Sequence, residues 1–264
     1  MLLQIYRTQF KTSLAVVTQY RVFLVIWILS LIAEPIVYMT VWTLVTSQHG
    51  AVAGYTGGDF AAYYITWMLV RHFSVTLSPE AIEARIRQGE LSGLLLRPIH
   101  PVHIDIADNI AYKLVALPFV LVIMLGLALT FRPTVNLQAV NLLAFIPALL
   151  LAFPIRFLAH WILGTFAIWT TRARSIFDIL TVLEIFLTGR LAPLVLLPVW
   201  IQIVASISPF RWMIAFPVEV VLGKLTPTEI LIGIGVQVVW LLGMIGLLRL
   251  VWLLGLRRYG AVGG

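Results

Sequence analysis

Long apolar runs separated by short polar breaks cover almost the whole chain. A helix needs roughly 20 mostly apolar residues to cross the hydrocarbon core of a bilayer. On this pattern we predict six membrane-spanning helices, at about residues 22–46, 59–77, 106–131, 139–170, 176–190 and 228–254. An even number of spans places both chain ends on the same side of the membrane.

Residues 1–20 have a different pattern, in which apolar and polar positions lie on separate sides of a helix. The apolar stripe consists of Leu3, Tyr6, Phe10, Leu14 and Val17. An amphipathic helix of this kind lies in the membrane interface instead of crossing the bilayer. We therefore expect an N-terminal interfacial helix and not a cleaved signal peptide, which would have a short apolar core and a small-residue cleavage site.

Residues 78–101 form the longest charged break and have the pattern of a short helix followed by a turn. Ser78 is a suitable N-cap, and Pro79 fits the first helical position. Gly89 can end the helix in a left-handed conformation. Pro98 then prevents the helix from continuing into the next span. The sequence thus predicts a short, stiff helix at the membrane surface.

The predicted surface helix has an apolar face and a charged face. Ile82 and Ile86 are one turn apart, and Glu83 and Arg87 form a favourable i,i+4 pair on another face. Two interpretations follow from this stretch alone. It is either a solvated loop resting on lipid headgroups, or a lever that a soluble partner pushes.

Residues 191–227 are strongly apolar, yet prolines divide them into pieces of about ten residues, each too short to cross a bilayer. These prolines are Pro193, Pro198, Pro209, Pro217 and Pro227. Two short helices that dip into the outer leaflet and return would satisfy both observations, provided that protein or a watery cavity covers the irregular backbone. The alternative is a kinked extra span, which would place the C-terminus outside.

Composition agrees with a membrane protein. The chain of 264 residues is 61% hydrophobic and 11% charged, whereas soluble domains carry about a quarter charged residues. Its fold class is therefore an all-α integral membrane protein. It contains no cysteine, which excludes disulfides and thiolate metal sites.

The distribution of basic residues predicts the orientation. The net charge is +7, and most Lys and Arg residues fall in the two chain ends and in the loops on the same side. Arg71 is assigned to that side and Arg190 to the opposite side. Because basic residues favour the cytoplasmic side, both termini should be cytoplasmic. In a membrane protein this charge is weak evidence for nucleic acid, and we expect none as a partner.

Ionisable residues inside the predicted spans are candidates for function. They are Glu34 in the first span, Arg156 and His160 in the fourth, and Asp178 and Glu184 in the fifth. A structural pair between Arg156 and either Glu184 or Glu34 explains these charges at least as well as contact with a substrate. No phosphate-binding loop and no hydrolase or zinc-protease motif is present, so we expect no catalytic residue, no metal site and no cofactor bound by this chain.

Several strings in the chain match a known transporter family. They are Gln88-Gly89-Glu90-Leu91 and Leu95-Leu96-Arg97-Pro98 after the surface helix, and Thr188-Gly189-Arg190, Pro193, Leu197-Pro198, Ser208-Pro209-Phe210, Pro217 and Gly223 near the fifth span and beyond. With six spans and an interfacial N-terminal helix, the chain resembles the permease subunits of ABC-2-type transporters, the type V exporter architecture. The resemblance covers the whole chain as one transmembrane domain, 1–264.

This resemblance implies a permease subunit of an ATP-driven exporter in the plasma or inner membrane. Such a subunit forms half of the pathway for a hydrophobic or amphipathic substrate, such as a lipid, a drug or a lipid-linked glycan. It pairs with a second permease, identical or different, and with two cytoplasmic ATPases that carry ATP and Mg. It also implies residues that couple to the ATPase, namely Glu80, Ile82, Glu83, Arg85, Ile86 and Arg87. The re-entrant motif comprises Gly189, Pro193, Pro198, Pro209 and Pro217.

Two other function classes fit parts of the sequence. A secondary carrier would explain broken helices with buried charge in spans 1 and 4. Its halves should be related repeats, and residues 22–131 and 139–254 show no convincing match. An intramembrane enzyme would use His160 and Asp178, but no motif supports it.

Overall fold

The computed structural model describes residues 2–19, 21–76, 79–135, 138–170 and 174–260. Within these ranges the regular structure is helical, with two 3-10 turns at Phe166–Ile168 and Leu194–Leu196. The α-helices are α1 (Leu2–Gln19), α2 (Arg21–His49), α3 (Gly57–Ser74), α4 (Pro79–Arg87), α5 (Glu90–Leu95), α6 (Pro101–Phe131), α7 (Ala139–Thr165), α8 (Arg174–Leu187), α9 (Val199–Ile207), α10 (Phe210–Met213), α11 (Ala215–Val221) and α12 (Pro227–Leu256).

Three helices in the described ranges are long and apolar enough to cross a membrane, and they match the predicted spans 3, 4 and 6. They are α6, α7 with the 3-10 turn that follows it, and α12. The other predicted spans lie in α2, α3 and α8. Since α8 has only 14 residues, it covers about 21 Å, less than the ~30 Å of a hydrocarbon core. The number of six spans therefore stays a prediction.

The bundle has two ends, which we name after the short helices found there. At the α4 end, Ile82 packs directly on Gly164 of α7, where an added Cβ would lie 2.5 Å from the Ile82 Cβ. At the α11 end, the Thr134 hydroxyl donates to Asp59 (2.8 Å), which joins the end of α6 to the start of α3. The helix α6 therefore runs antiparallel to α7 and α12, which lie parallel to each other.

The helix α3 lies in the centre of the bundle, against α2, α6, α7 and α11. A capping box begins it, in which Thr56 and Asp59 bond each other's backbone amides. Its tyrosines hold the turn after α8: the Tyr63 hydroxyl donates to the Gly189 carbonyl and the Tyr64 hydroxyl to the Leu191 carbonyl, each at 2.7 Å. The hydrogen bonds satisfy backbone groups that the turn would otherwise leave unpaired in an apolar region.

The proline-rich segment consists of short helices, two of which begin directly after a predicted proline, Pro198 or Pro209. The sequence predicts two such helices, whereas the structure has three, α9 to α11, after a 3-10 turn. The segment begins at Gly189, whose φ of 74° is the left-handed conformation that glycine adopts without cost. A side chain there would also collide with the Tyr63 hydroxyl. Whether these helices re-enter the membrane from outside stays a prediction.

The predicted surface helix is α4, followed by a further short helix, α5. Gly89 between them has a φ of 77°, as expected for the residue that ends α4. Ser78, the predicted N-cap, lies outside the described residues, as do the side chains of Leu3 and Val17 in the N-terminal stripe. Pro101 is the first residue of α6, so this helix begins earlier than the predicted start at 106.

Candidate functional site

The apolar face of α4 packs against the bundle through Ile82 and Ile86, and we call this contact the seat of α4. Ile82 and Ile86 are buried in a cluster that includes Trp161 of α7 and Trp252 of α12. Ile82 also fills the space that Gly164 leaves open. A short helix of nine residues is marginal on its own, so this burial is what holds α4 in place.

A buried carboxylate fixes α4 to two of the long helices. Asp105 of α6 is fully buried. It accepts hydrogen bonds from Arg85 Nη1 of α4 (2.6 Å) and from Trp161 Nε1 of α7 (2.8 Å). These partners are needed because a buried carboxylate without them would be strongly unfavourable. Asp105 thereby links α4, α6 and α7.

The opposite side of α4 faces away from the bundle. Arg87 is exposed, and Glu80 is half-buried. Glu83 is largely buried and accepts from Arg87 at 3.4 Å, which is the predicted i,i+4 pair. Six residues of this region were expected to contact an ATPase. Three of them are buried in the structure, namely Ile82, Glu83 and Ile86. The coupling role of all six stays a prediction.

A first group of charges lies around Glu34 of α2. Its carboxylate accepts from Arg71 Nη1 of α3 at 2.6 Å and from two nitrogens of Arg190, in the turn after α8. Because both guanidinium groups reach the same carboxylate, the assignment of Arg71 and Arg190 to opposite sides of the membrane is wrong. Sequence reasoning found Glu34 but missed its two partners.

A second group of charges joins α7 to α8. Arg156 donates to Glu184 through Nε (3.1 Å) and Nη2 (2.7 Å), and His160 lies 2.9 Å from the same carboxylate. The pair of Arg156 with Glu184 was one of the two predicted; the pair with Glu34 does not form. Asp178 is apart from this group, on the exposed side of α8.

These charge groups are suited to holding helices together. Both carboxylates accept hydrogen bonds from arginine side chains on other elements. The bidentate bond of Arg156 is the strong, geometrically specific type of charged hydrogen bond. The described part of the chain contains no group of three His, Asp or Glu residues able to hold a metal ion.

His100 caps the start of α6 and packs beside the seat of α4. Its Nδ1 accepts from the Val102 amide at 3.2 Å, and its ring lies 4.4 Å from that of Trp252. Burial lowers the pKa of His100 to about 4, and the charge of His103 contributes in the same direction. His100 is therefore uncharged at neutral pH.

A second polar region lies at the α11 end. Arg211 donates to Glu219 at 2.8 Å, and the Lys224 ammonium lies 4.6 Å from the centre of the Tyr55 ring. Together with Gln202 they line a cavity of about 420 Å³. Burial raises the pKa of Tyr55 to about 12, so its hydroxyl keeps its proton.

The prolines of the predicted re-entrant motif have different positions in the structure. Pro193, Pro198 and Pro209 each precede a helix or 3-10 turn, and Pro217 lies within α11.

A family model described as ABC-2 family transporter protein matches residues 31–263. This range covers α3 to α12, including the seat of α4, both charge groups and the proline-rich segment. No curated protein matches the chain.

Proposed function

Because the chain belongs to the ABC-2 family of transporter proteins, we propose that it is the permease subunit of an ATP-driven exporter. The observation that carries this proposal is the seat of α4. One side of this helix is anchored to α6 and α7 through Asp105, and the other side is exposed. A force applied to the exposed side would thus reach two long helices directly.

The exposed side of α4 is the proposed contact for a cytoplasmic ATPase. The chain has no phosphate-binding loop of its own, so ATP and Mg would be bound by that partner. Arg87 and Glu80 offer charged groups at the surface, where an interface gains specificity from charge complementarity. The termini and α4 would then lie on the cytoplasmic side of the cell membrane.

The proposed second permease subunit faces α2 and α8. One side of α8 is an exposed apolar stripe of Ile176, Ile179, Val182, Leu183 and Phe186. The group around Glu34 adjoins this region, since Arg190 follows α8. A pathway between two such surfaces would present apolar side chains with a few charges, which suits an amphipathic substrate such as a lipid, a drug or a lipid-linked glycan.

Charge reversal on the exposed side of α4 tests the ATPase contact. We expect Arg87→Glu combined with Glu80→Arg to reduce ATP-driven transport by about tenfold or more, since each interface charge pair lost costs roughly 1–3 kcal/mol. The fold should survive because Arg87 is exposed and Glu80 is only half-buried. Glu83 loses Arg87 as its partner, but the arginine introduced at position 80 lies one turn away on the same helix and can replace it. The measurement is substrate transport by the complex with its co-purified ATPase in vesicles.

The matched control is Arg257→Glu, a charge reversal at an exposed residue beyond α12. It should leave transport unchanged. Transport by the double variant at the normal rate would contradict the contact. Transport by the isolated chain without nucleotide would contradict the exporter and favour a secondary carrier.

Cysteine labelling tests the proposed placement of residues 191–227, because the chain has no cysteine of its own. We expect cysteines at Val195, Ser208 and Lys224 to react with an impermeant reagent added outside the cell. Cysteines at Thr8 and Arg258 should react from the cytoplasm only. These sites are at least partly exposed, whereas Gly189 is unsuitable because a side chain would strike Tyr63. Labelling of Lys224→Cys only from the cytoplasm would show that the segment crosses the membrane.

A further inference from the structure

We propose that a cleft between α6, α7 and α12 binds one anionic phospholipid, with an acyl chain in the cleft and the phosphate at Arg249. The cleft has a volume of about 640 Å³. None of its lining residues belongs to α2 or α8. This binding site is independent of what the protein transports.

The lining of the cleft separates apolar from polar groups. Phe153, Phe157, Leu241 and Ile245 contribute to a wall that is apolar along almost its whole length. The charged or titratable residues in the lining are His100, His103 and Arg249, and none of them is acidic. This distribution matches a molecule with one long apolar part and one negatively charged end.

The length of the cleft matches one leaflet of a bilayer. Its lining on α12 extends from Leu241 to Leu253, which is about 18 Å at 1.5 Å per residue. One leaflet contributes about half of the ~30 Å hydrocarbon core. The histidines lie at the first turn of α6, so the polar end of the cleft is at the α4 end of the bundle.

Arg249 supplies the charge that selects an anion. It is exposed and makes no ion pair or hydrogen bond with the residues that the structure describes. Its position lies about 10 Å from the end of α12 by helix length, and a side chain extended along the helix would bring the guanidinium towards the headgroup region. An arginine at that depth is stabilised by an anionic partner. A lipid phosphate accepts two hydrogen bonds from a guanidinium.

The other groups at the polar end leave room for an anion. His103 Nδ1 lies 2.9 Å from the Tyr6 hydroxyl of α1, and His100 is packed against Trp252. The acidic residues on α6 are Asp105 and Asp108. Asp105 bonds to Arg85 and Trp161, and Asp108 accepts hydrogen bonds from Gln9 and Ser13 of α1. No carboxylate is therefore directed at Arg249 from α1 or from the start of α6.

Trp252 connects the cleft to the seat of α4. It lines the cleft and also packs against Trp161, which donates to Asp105. A bound acyl chain would press on the ring that supports the buried side of α4. Occupancy of the cleft should therefore stabilise the seated position of this helix.

The experiment measures binding of phosphatidylglycerol with brominated acyl chains to the purified complex in detergent, through quenching of tryptophan fluorescence. We expect saturable quenching that Trp252→Phe reduces. Arg249→Gln should weaken binding about fivefold, the loss expected for one basic residue at a lipid phosphate. Arg249→Lys, which keeps a cation but not the two parallel donors, should bind more tightly than Arg249→Gln. Arg258→Gln is the matched control at an exposed arginine outside the cleft.

Four results would overturn the proposal. Equal weakening by Arg249→Gln and Arg258→Gln would mean that general surface charge holds the lipid. Equal binding of brominated phosphatidylcholine would show that the anion is not selected. Unchanged binding in Ile245→Trp, a substitution that fills the cleft, would place the acyl chain elsewhere. Crosslinking of Ile245→Cys to another subunit would show that protein, and not lipid, covers the cleft.

Discussion

Replacing Glu184 with glutamine should destabilise the protein by about 3–5 kcal/mol, because one partner of a buried ion pair is removed and the other remains. Glu184 is largely buried and accepts two hydrogen bonds from Arg156. Glutamine has nearly the same shape but no charge, so the Arg156 guanidinium would be left in the interior without its counter-ion. Its Nη1 already has no hydrogen-bond partner. The measurement is thermal unfolding in detergent.

The matched control is Glu90→Gln, the same substitution at an exposed glutamate of α5. It should alter stability by less than about 0.5 kcal/mol. The double variant Arg156→Leu with Glu184→Leu should recover most of the loss, since well-packed apolar residues often replace a buried pair without cost. If Glu184→Gln is as stable as Glu90→Gln but transport is lost, the carboxylate serves the substrate and not the fold.

Replacing Asp105 with asparagine should separate ATP hydrolysis from transport. The change weakens the anchor of α4, because hydrogen bonds to a charged group contribute about 1.5–3 kcal/mol each. The seated position of α4 should therefore become at least about tenfold less populated, and transport per ATP hydrolysed should fall in proportion. The measurement compares both rates in the reconstituted complex.

A double-mutant cycle with Arg85→Met identifies the pair responsible. Since Arg85 acts through Asp105, the second substitution should add little once the first is present. Asp108→Asn is the control: this residue is on the same helix but bonds to α1 instead of α4. Strictly additive effects of Arg85→Met and Asp105→Asn would contradict an anchor made by these two residues.

Local signals in the sequence predicted the local features of the fold. Gly89 ends α4 in a left-handed conformation, and Pro198 and Pro209 precede two of the short helices in residues 191–227. The three longest apolar runs became α6, α7 and α12. Each of these outcomes depends on propensity or hydropathy within a few turns of helix, which is what a single sequence records.

Contacts between distant parts of the chain could not be predicted in the same way. Asp105 bonds Trp161, and Glu34 bonds Arg190, across 56 and 156 residues of sequence. No periodicity relates such positions. Asp105 did carry one usable signal, since an acidic residue near the start of an apolar helix needs a partner. The fifth span was predicted to end at about residue 190, three residues beyond the end of α8. The turn that ends α8 is held from outside, by hydroxyls of Tyr63 and Tyr64 on α3.

The early end of α8 has a consequence for the surrounding bilayer. The helix α6 has 31 residues and is about 46 Å long, whereas α8 gives about 21 Å of helix. Hydrophobic mismatch of this kind is relieved by local thinning of the bilayer, at fractions of a kcal/mol per Å. At the edge of the proposed contact between α8 and a second subunit, the bilayer would therefore be thinner, and a polar headgroup would have a shorter apolar distance to cross. Membrane thickness would then act on this protein from one side.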